Sequence, residues 1–228
     1  MRLYSVDLSP FSSKARMVVY AKGLDNIEVT PPKGFLTPAW RETSPSAIGR
    51  LPILVLDDGH VIPESGVIAE YLEETYPEPT LLGASPRESA AVRALVNVAD
   101  LYLTMNVFMM TGGQGRPPRS IPAKARSRTG PSRGAQSLEQ MLDGAGGFAC
   151  LGRLTLADCA LTPALFMLEN VLPAIGADNP IPANRRTASY WTAIQAHPIA
   201  AKVLAEMRRG LAARALAATL LLPHSSQT

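Results

Sequence analysis

The stretch that decides the fold is Leu3–Tyr20, with the sequence LYSVDLSPFSSKARMVVY. Its start, Leu3–Val6, has the apolar composition of a buried strand. Ser9 then lies where a helix would be capped, and Pro10 fits the first helical position because that position needs no amide hydrogen. Gly23 supplies a stop signal after the apolar face. The stretch therefore predicts a strand that delivers a serine hydroxyl to the positive end of a helix, which suits an anion such as a thiolate.

The next residues predict the rest of a small α/β unit. Ile27–Thr30 alternates as a second strand should, and a loop rich in proline follows it. Two apolar runs, Leu51–Leu56 and Val61–Ile62, surround a turn that contains Asp58-Gly59, and this pattern indicates a hairpin. Glu64-Ser65 then begins a helix. The order is strand, helix, strand, loop, hairpin, helix.

From Arg87 onward the spacing predicts helices without strands. Apolar residues at three- and four-residue intervals from Leu95 to Met109 predict one long helix. The stretch Thr111–Gly134 is rich in Gly, Pro, Ser and Arg, and we expect it to be irregular or poorly ordered. Its basic residues outnumber its acidic ones, so it could be a solvated loop or a module that recruits an acidic partner. We place the domain limits at 1–78 and 87–228, with a linker at 79–86.

Two further signals mark the last helices. Thr155-Leu156-Ala157-Asp158 is a capping pattern before an apolar helix. The chain end, 189–222, predicts two or three helices that are separated at His197-Pro198 and at Gly210.

Composition narrows the classes of function. A hydrophobic content of 46% and a charged content of 18% are typical of a globular domain, and a net charge of +3 is too weak to favour nucleic acid. The two cysteines, Cys150 and Cys159, exclude a disulfide framework and a multi-cysteine zinc site, and we expect both to be buried and inert. The first residues lack the pattern of a secretory signal, and no apolar run approaches membrane-spanning length. We therefore expect a cytoplasmic protein.

These features together resemble the cytosolic glutathione S-transferase family, from about Leu3 to about His197. Each motif is weak by itself, but their order and separation are specific. The start Ser9-Pro10-Phe11 is most similar to the serine-type tau and zeta branches of that family. The carriers of the resemblance are Ser9-Pro10-Phe11 with Arg16, Leu51-Pro52, Glu64-Ser65 and Thr155-Leu156-Ala157-Asp158.

The resemblance implies the fold and the partners. The fold would be an α/β thioredoxin-like N-terminal domain followed by an all-α C-terminal domain. The protein would be a cytoplasmic homodimer that conjugates glutathione, its co-substrate, with a small hydrophobic electrophile in detoxification. No metal, nucleic acid or membrane is implied.

The resemblance also implies residue roles on the sheet domain. The Ser9 hydroxyl would donate to the glutathione sulfur, with Phe11 beside it. Leu51 would pair its backbone with the cysteinyl part of the tripeptide, and Pro52 would be the family's cis-proline.

The two ends of glutathione would have separate partners. Glu64 and Ser65 would hold the γ-glutamyl end, and Arg50 lies where many members carry a basic residue for the glycine carboxylate.

Several alternatives remain open from the residues themselves. Ser9 could merely cap its helix, and Ser12 or Ser13 could replace it as the hydroxyl donor. Phe11, Met105 and Met109 could line an apolar substrate cleft, although most of their stripe must be core. A non-catalytic protein that binds glutathione or apolar ligands would use the same fold.

Overall fold

A computed structural model describes residues 1–35, 37–111 and 130–220 of the chain. Its N-terminal part contains a four-stranded sheet in the order β2-β1-β3-β4. β1 and β2 are parallel, whereas β1 with β3 and β3 with β4 are antiparallel. The strands are β1 (Arg2–Tyr4), β2 (Glu28–Thr30), β3 (Ile53–Val55) and β4 (Val61–Pro63). The predicted hairpin is thus confirmed as β3 and β4.

The first strand ends earlier than the sequence indicates. We expect Leu3–Val6, but β1 ends at Tyr4. The Val6 carbonyl accepts a hydrogen bond from the Arg16 guanidinium at 2.9 Å instead of joining the sheet ladder. Arg16, on the following helix, therefore binds the backbone at the end of the predicted strand, and Val6 does not pair with the described strands of the sheet.

Three helices belong to the sheet unit: α1 (Pro10–Ala21), α2 (Pro38–Thr43) and α3 (Ser65–Thr75). The first and third match the predicted helices. α2 lies where the sequence indicates a loop, and buried Trp40 anchors it by donating from Nε1 to the Gly49 carbonyl at 2.8 Å. Lys22, the residue that follows α1, forms a buried ion pair with Glu73 of α3 at 2.7 Å. This pair joins the far ends of α1 and α3.

The remaining part is helical over the residues that the structure describes. A π-helical segment, Val98–Thr104, joins α4 to α5, and short 3₁₀ turns lie at Ala145–Gly147, Pro173–Ile175 and Ile181–Ala183. The helices are α4 (Pro86–Asn97), α5 (Met105–Met110), α6 (Gly130–Met141), α7 (Leu156–Asn170), α8 (Arg185–Ile194) and α9 (Pro198–Leu220). The predicted fold class, a thioredoxin-like domain with an all-helical domain, is confirmed.

The π-helical segment changes which residues of the long helix are buried. Leu101 and Tyr102 are more than half exposed, although their spacing predicts a place on the buried face. The π turn adds a residue to the helical repeat, and Leu103 and Thr104 are buried instead. The long helix is therefore real, but its buried stripe shifts by about one position.

The prediction that Thr111–Gly134 is irregular is wrong for the last residues of this segment. Residues 112–129 lie outside the described part of the chain, whereas Gly130–Gly134 form the start of α6. A Cβ on Gly134 would lie 2.7 Å from the Tyr102 carbonyl oxygen and 2.6 Å from a Leu103 methyl carbon. Glycine here serves the close approach of two helices rather than a loop.

The predicted break at Gly210 is also wrong, while the break at His197-Pro198 is confirmed between α8 and α9. α9 runs without interruption through Gly210. A Cβ at this position would lie 2.7 Å from the backbone nitrogen of Leu8. Glycine therefore permits α9 to touch the loop after β1.

α7 is the central core helix and is buried along Leu156–Leu168. The predicted capping box begins it, because Asp158 accepts from the Thr155 backbone N–H at 2.8 Å. The expectation that no run approaches membrane-spanning length needs correction: Leu156–Ile175 is long and apolar enough by composition. However, 67% of that window is buried within the protein, as expected of a core helix.

Candidate functional site

Three predicted motifs meet at one edge of the sheet. Tyr4, Ile53 and Pro63 are cross-strand neighbours in a single row through β1, β3 and β4. Because β1 runs antiparallel to β3 and β3 to β4, the end of β1, the start of β3 and the end of β4 share this edge. The segments that leave it carry Ser9, Leu51-Pro52 and Glu64-Ser65.

Ser9 is the N-cap of α1 and is half-buried. Its Oγ accepts the Ser12 backbone N–H at 3.2 Å. A hydroxyl has two acceptor lone pairs and one donor proton, so this cap leaves the proton free for a second acceptor. Capping and donation to a ligand are therefore compatible at this residue.

The two competing serines are less accessible. Ser12 and Ser13 are both fully buried. The Ser13 Oγ accepts from the Arg16 guanidinium at 3.0 Å, which commits it to the protein interior. Of the three hydroxyls, that of Ser9 is the one that solvent reaches.

Leu51 presents its backbone at the start of β3. The Leu51-Pro52 peptide is cis, as the resemblance implies. Within the described ranges, the Leu51 N–H and C=O have no hydrogen-bond partner. The side chain is buried in a small cluster with Trp40 and Ile53, which fixes the position of this backbone.

Glu64 and Ser65 form an open helix start. Glu64 has φ +69°, a conformation that L residues rarely adopt, and its side chain is exposed. Ser65 is buried and is the first residue of α3, and no side chain of the described residues caps this helix. The first amides of α3 can therefore donate hydrogen bonds to an anion from outside the protein.

Arg50 is exposed on the loop between Gly49 and Leu51. It makes no ion pair with any residue that the structure describes. The Trp40–Gly49 hydrogen bond holds the backbone next to it.

An apolar wall faces α1 from the helical domain. The Phe11 ring stacks on Phe108 of α5 with 5.8 Å between centroids and 27° between planes. Met105 and Met109, on the same short helix, are 37% and 56% exposed. The residue of α5 that contacts Phe11 is therefore Phe108, rather than Met105 or Met109.

Sequence reasoning missed an ion pair beside this wall. The Lys14 Nζ of α1 lies 2.5 Å from an Asp100 carboxylate oxygen in the π-helical segment, and 5.8 Å from the Phe11 ring centre. The partners are 86 positions apart, so no local spacing pattern could have revealed them.

The two cysteines are buried, as predicted. Burial raises the pKa of Cys150 to about 11 and that of Cys159 well above its ordinary value. Both stay as thiols at neutral pH, which leaves them unreactive. In the part of the chain that the structure describes, no group of three metal-type side chains is present.

A thioredoxin-like sheet unit with a cis-proline before β3, joined to an all-helical unit, defines the class of glutathione transferases. The family model "Glutathione S-transferase, N-terminal domain" matches residues 3–80. The chain is 30% identical over 212 residues to the maleylacetoacetate isomerase of Pseudomonas aeruginosa, covering 87% of this chain and 96% of that protein.

Two further proteins extend the likeness. A zeta-class glutathione S-transferase of Euphorbia esula is 33% identical over 173 residues, which is 72% of this chain and 74% of that protein. The crystal structure of maleylacetoacetate isomerase from Anaeromyxobacter dehalogenans, with glutathione in its active site, matches with a TM-score of 0.67 and 28% identity. That match covers 89% of this chain and 93% of the other. The chain belongs to the glutathione S-transferase family of enzymes.

Proposed function

We propose that this protein is a glutathione transferase in which the Ser9 hydroxyl stabilises the glutathione thiolate for attack on a hydrophobic electrophile. The observation that carries the proposal is the common sheet edge of Ser9, Leu51-Pro52 and Glu64-Ser65. Three sets of groups have no protein partner among the described residues: the Ser9 hydroxyl proton, the Leu51 backbone N–H and C=O, and the first amides of α3.

The size of this edge suits a tripeptide. β1 and β4 are separated by β3, so the distance across is about 10 Å, or two strand spacings. An extended tripeptide spans about 10 Å. The backbone of Leu51 lies between the ends and can form a short antiparallel pairing with the middle residue.

The ends of the edge suit the charges of glutathione. The first amides of α3, with the Ser65 hydroxyl, attract the γ-glutamyl carboxylate. The Glu64 carboxylate attracts the ammonium of the same group. Arg50, on the loop before Leu51, attracts the glycine carboxylate at the other end of the tripeptide. A zwitterionic amino-acid end group needs the mixed pair that Glu64 and Ser65 supply.

The energetics require no metal. A thiol with a pKa of about 8.5 needs roughly 2.7 kcal/mol of preferential thiolate stabilisation for a two-unit shift. One hydrogen bond to a charged acceptor contributes about 1.5–3 kcal/mol. The N-terminus of α1 adds about 0.3–1 kcal/mol. Ser9 and the helix start are together sufficient.

The electrophile would bind against the apolar surface that Phe11 and α5 form together. Phe11 bridges the two sites, because it follows Ser9 by two positions and stacks on Phe108. The exposed side chains of Met105 and Met109 supply adaptable apolar surface. We propose these three residues as the hydrophobic-substrate site.

A second candidate reaction is the isomerisation of maleylacetoacetate. It is favoured by the names of the Pseudomonas aeruginosa and Anaeromyxobacter dehalogenans proteins. The same thiolate could add to a carbon–carbon double bond, permit rotation about the resulting single bond and leave again, so that glutathione is regenerated. An assay with maleylacetoacetate distinguishes this reaction from conjugation.

The remaining parts of the proposal concern the assembly and the cell. Exposed apolar side chains on α3 and the π-helical segment, Val67, Leu101 and Tyr102, favour a homodimer. A cytoplasmic place, a role in detoxification and the domain limits 1–78 and 87–228 complete it. We predict that the protein acts without a metal, a nucleic acid or a membrane.

The test compares the wild type with Ser9→Ala in the conjugation of glutathione to an aryl halide. We expect the variant to bind glutathione and to conjugate more slowly. Equal rates would remove Ser9 from the mechanism. Failure of the wild type to be retained on immobilised glutathione would remove the whole proposal, whereas retention without turnover of any electrophile would indicate a binding protein.

A further inference from the structure

The loop that carries Ser9 is held by a buried arginine. Arg16, on α1, is 2% exposed, and its guanidinium donates to the carbonyls of Val6 at 2.9 Å and Asp7 at 3.1 Å. It also donates to the hydroxyls of Ser5 and Ser13. These bonds fix the backbone between β1 and Ser9 from the inside.

Arg16 is held in turn by the last helix. Its Nε donates to a Glu206 carboxylate oxygen at 2.7 Å, and Glu206, on α9, is 9% exposed. The Tyr20 hydroxyl donates to the other oxygen of the same carboxylate at 2.9 Å. Lys202, one turn earlier on α9, lies over the Tyr20 ring. Glu206 is therefore the acceptor that orients Arg16.

The backbone of α9 also touches this loop directly. A Cβ on Gly210 would lie 2.7 Å from the Leu8 nitrogen, 2.9 Å from the Asp7 Cβ and 3.0 Å from the Leu8 Cβ. Arg209, the preceding residue, forms an exposed ion pair with Asp7 at 3.1 Å. The atom nearest to this Cβ position thus belongs to Leu8, the residue before Ser9.

We propose that α9 is a brace for the Ser9 hydroxyl, with Glu206 and Gly210 as positioning residues for thiolate formation. Glu206 acts through Arg16 on Ser5–Asp7, and Gly210 lets the helix backbone abut Leu8. The inference rests on the proposed function, because it assigns the brace to the hydrogen bond between Ser9 and the sulfur. It makes the helical domain a determinant of the thiol pKa as well as a wall for the electrophile.

The first test is Gly210→Ala. Alanine favours a helix more than glycine does, so the change would stabilise α9 if nothing lay against it. Because the Leu8 backbone nitrogen and the Cβ atoms of Asp7 and Leu8 occupy the space, we expect the new methyl group to displace the loop and Ser9. The predicted result is a rise of about one unit in the pKa of the bound glutathione thiol, from roughly 6.5 to roughly 7.5, which leaves about threefold less thiolate at about pH 7.

The second test is Glu206→Gln, which keeps the shape of the side chain and removes its charge. Glutamine can still accept from Arg16, so folding should survive where an alanine could unfold the protein. We expect a smaller rise in the thiol pKa than in Gly210→Ala. The matched control is Arg208→Ala, an exposed neighbour on the same helix, which should behave as the wild type.

The measurement is the ultraviolet absorption of the thiolate in the glutathione complex, titrated against pH, together with kcat and KM. We expect kcat at neutral pH to fall with little change in KM for glutathione, because Leu51, Glu64 and Ser65 lie outside the brace. A wild-type thiol pKa in both variants would overturn the brace, and so would an equal shift in Arg208→Ala. If the wild type itself forms no thiolate, the proposed function fails instead.

Discussion

The two helices that begin at the candidate site differ in how their N-termini are satisfied. α1 is closed by its own residue, because the Ser9 Oγ accepts the Ser12 N–H. α3 is open, since no described side chain caps it and Glu64 holds a rare positive φ. At the start of α1, the Ser9 hydroxyl proton is free to donate to a ligand. At the start of α3, the first backbone amides are free to donate to a ligand.

In the proposed function, this difference lets one sheet edge bind both the reactive sulfur and the unreactive carboxylate of glutathione. A capped start with a spare hydroxyl proton suits a sulfur that must stay reactive. An uncapped start suits a carboxylate that has only to be held. The same two helices meet at their other ends through the Lys22–Glu73 pair, so their relative position is fixed there.

The largest change in stability is expected at the C-terminal ends of α1 and α3, where Lys22 and Glu73 form their ion pair. Breaking the buried Lys22–Glu73 pair with Glu73→Gln should lower the free energy of unfolding by about 3 kcal/mol, because Lys22 keeps a buried charge. Denaturant unfolding at neutral pH measures the loss. Arg93→Gln, which breaks an exposed pair with Glu70, is the control and should cost much less.

The Lys22–Glu73 pair also predicts how the free energy of unfolding changes at acid pH. Burial raises the pKa of Glu73, but hydrogen bonds from Lys22, Thr80 and the Leu81 N–H outweigh it and leave the pKa lowered. A lowered native pKa stabilises the fold above the ordinary value and stops doing so as the pH falls through the lowered one. The wild type should therefore lose stability more steeply than Glu73→Gln below the ordinary carboxyl range. Parallel curves would contradict the assignment.

Ser9 variants separate capping from donation. Ser9→Asp keeps an N-cap acceptor but lacks the hydroxyl proton, so its stability should match the wild type. Ser9→Ala should lose about 1 kcal/mol of stability as well. Both should lower kcat at neutral pH by about 10- to 100-fold, the value of one hydrogen bond to a charged acceptor. Full activity in Ser9→Asp would mean that the serine only caps the helix.

Glu64→Gly tests the open start. Glycine tolerates the positive φ, so we expect the free energy of unfolding to rise by about 1 kcal/mol. Loss of the carboxylate should raise KM for glutathione about tenfold. Glu74→Gly, at an exposed position of the same helix, should instead destabilise the protein and leave KM unchanged. An unchanged KM for glutathione in Glu64→Gly, with or without the gain in stability, would refute a binding role for the Glu64 carboxylate.

Arg50→Ala should have the smallest effect. Arg50 is exposed, so we expect KM for glutathione to rise by about two- to fivefold at low salt. The difference from the wild type should shrink as salt is added, because exposed charges are screened. Arg50→Lys should retain most of the affinity. A rise in KM that does not depend on salt would argue against an electrostatic contact.

Local rules predicted the parts of the fold that depend on neighbouring residues. The Ser9 cap, the β3–β4 hairpin and the Thr155–Asp158 box all follow from residues within a few positions of one another. The resemblance to a known family added the cis Leu51-Pro52 bond, which base rates would not favour.

Local rules failed where distant segments decide the structure. Arg16 and Glu206 are 190 positions apart, and Gly210 lies within a helix at the point where that helix contacts Leu8. The π turn at Val98–Thr104 shifted the buried face of a helix whose existence was predictable. Each case needs a tertiary contact that the spacing of residues does not encode.

The most direct test of the central claim is a crystal structure of the protein soaked with glutathione. We expect the sulfur to lie within hydrogen-bond distance of the Ser9 Oγ, with the γ-glutamyl carboxylate at the first amides of α3. A sulfur that faces Ser12 or Ser13, or a tripeptide bound away from the sheet edge, would contradict it.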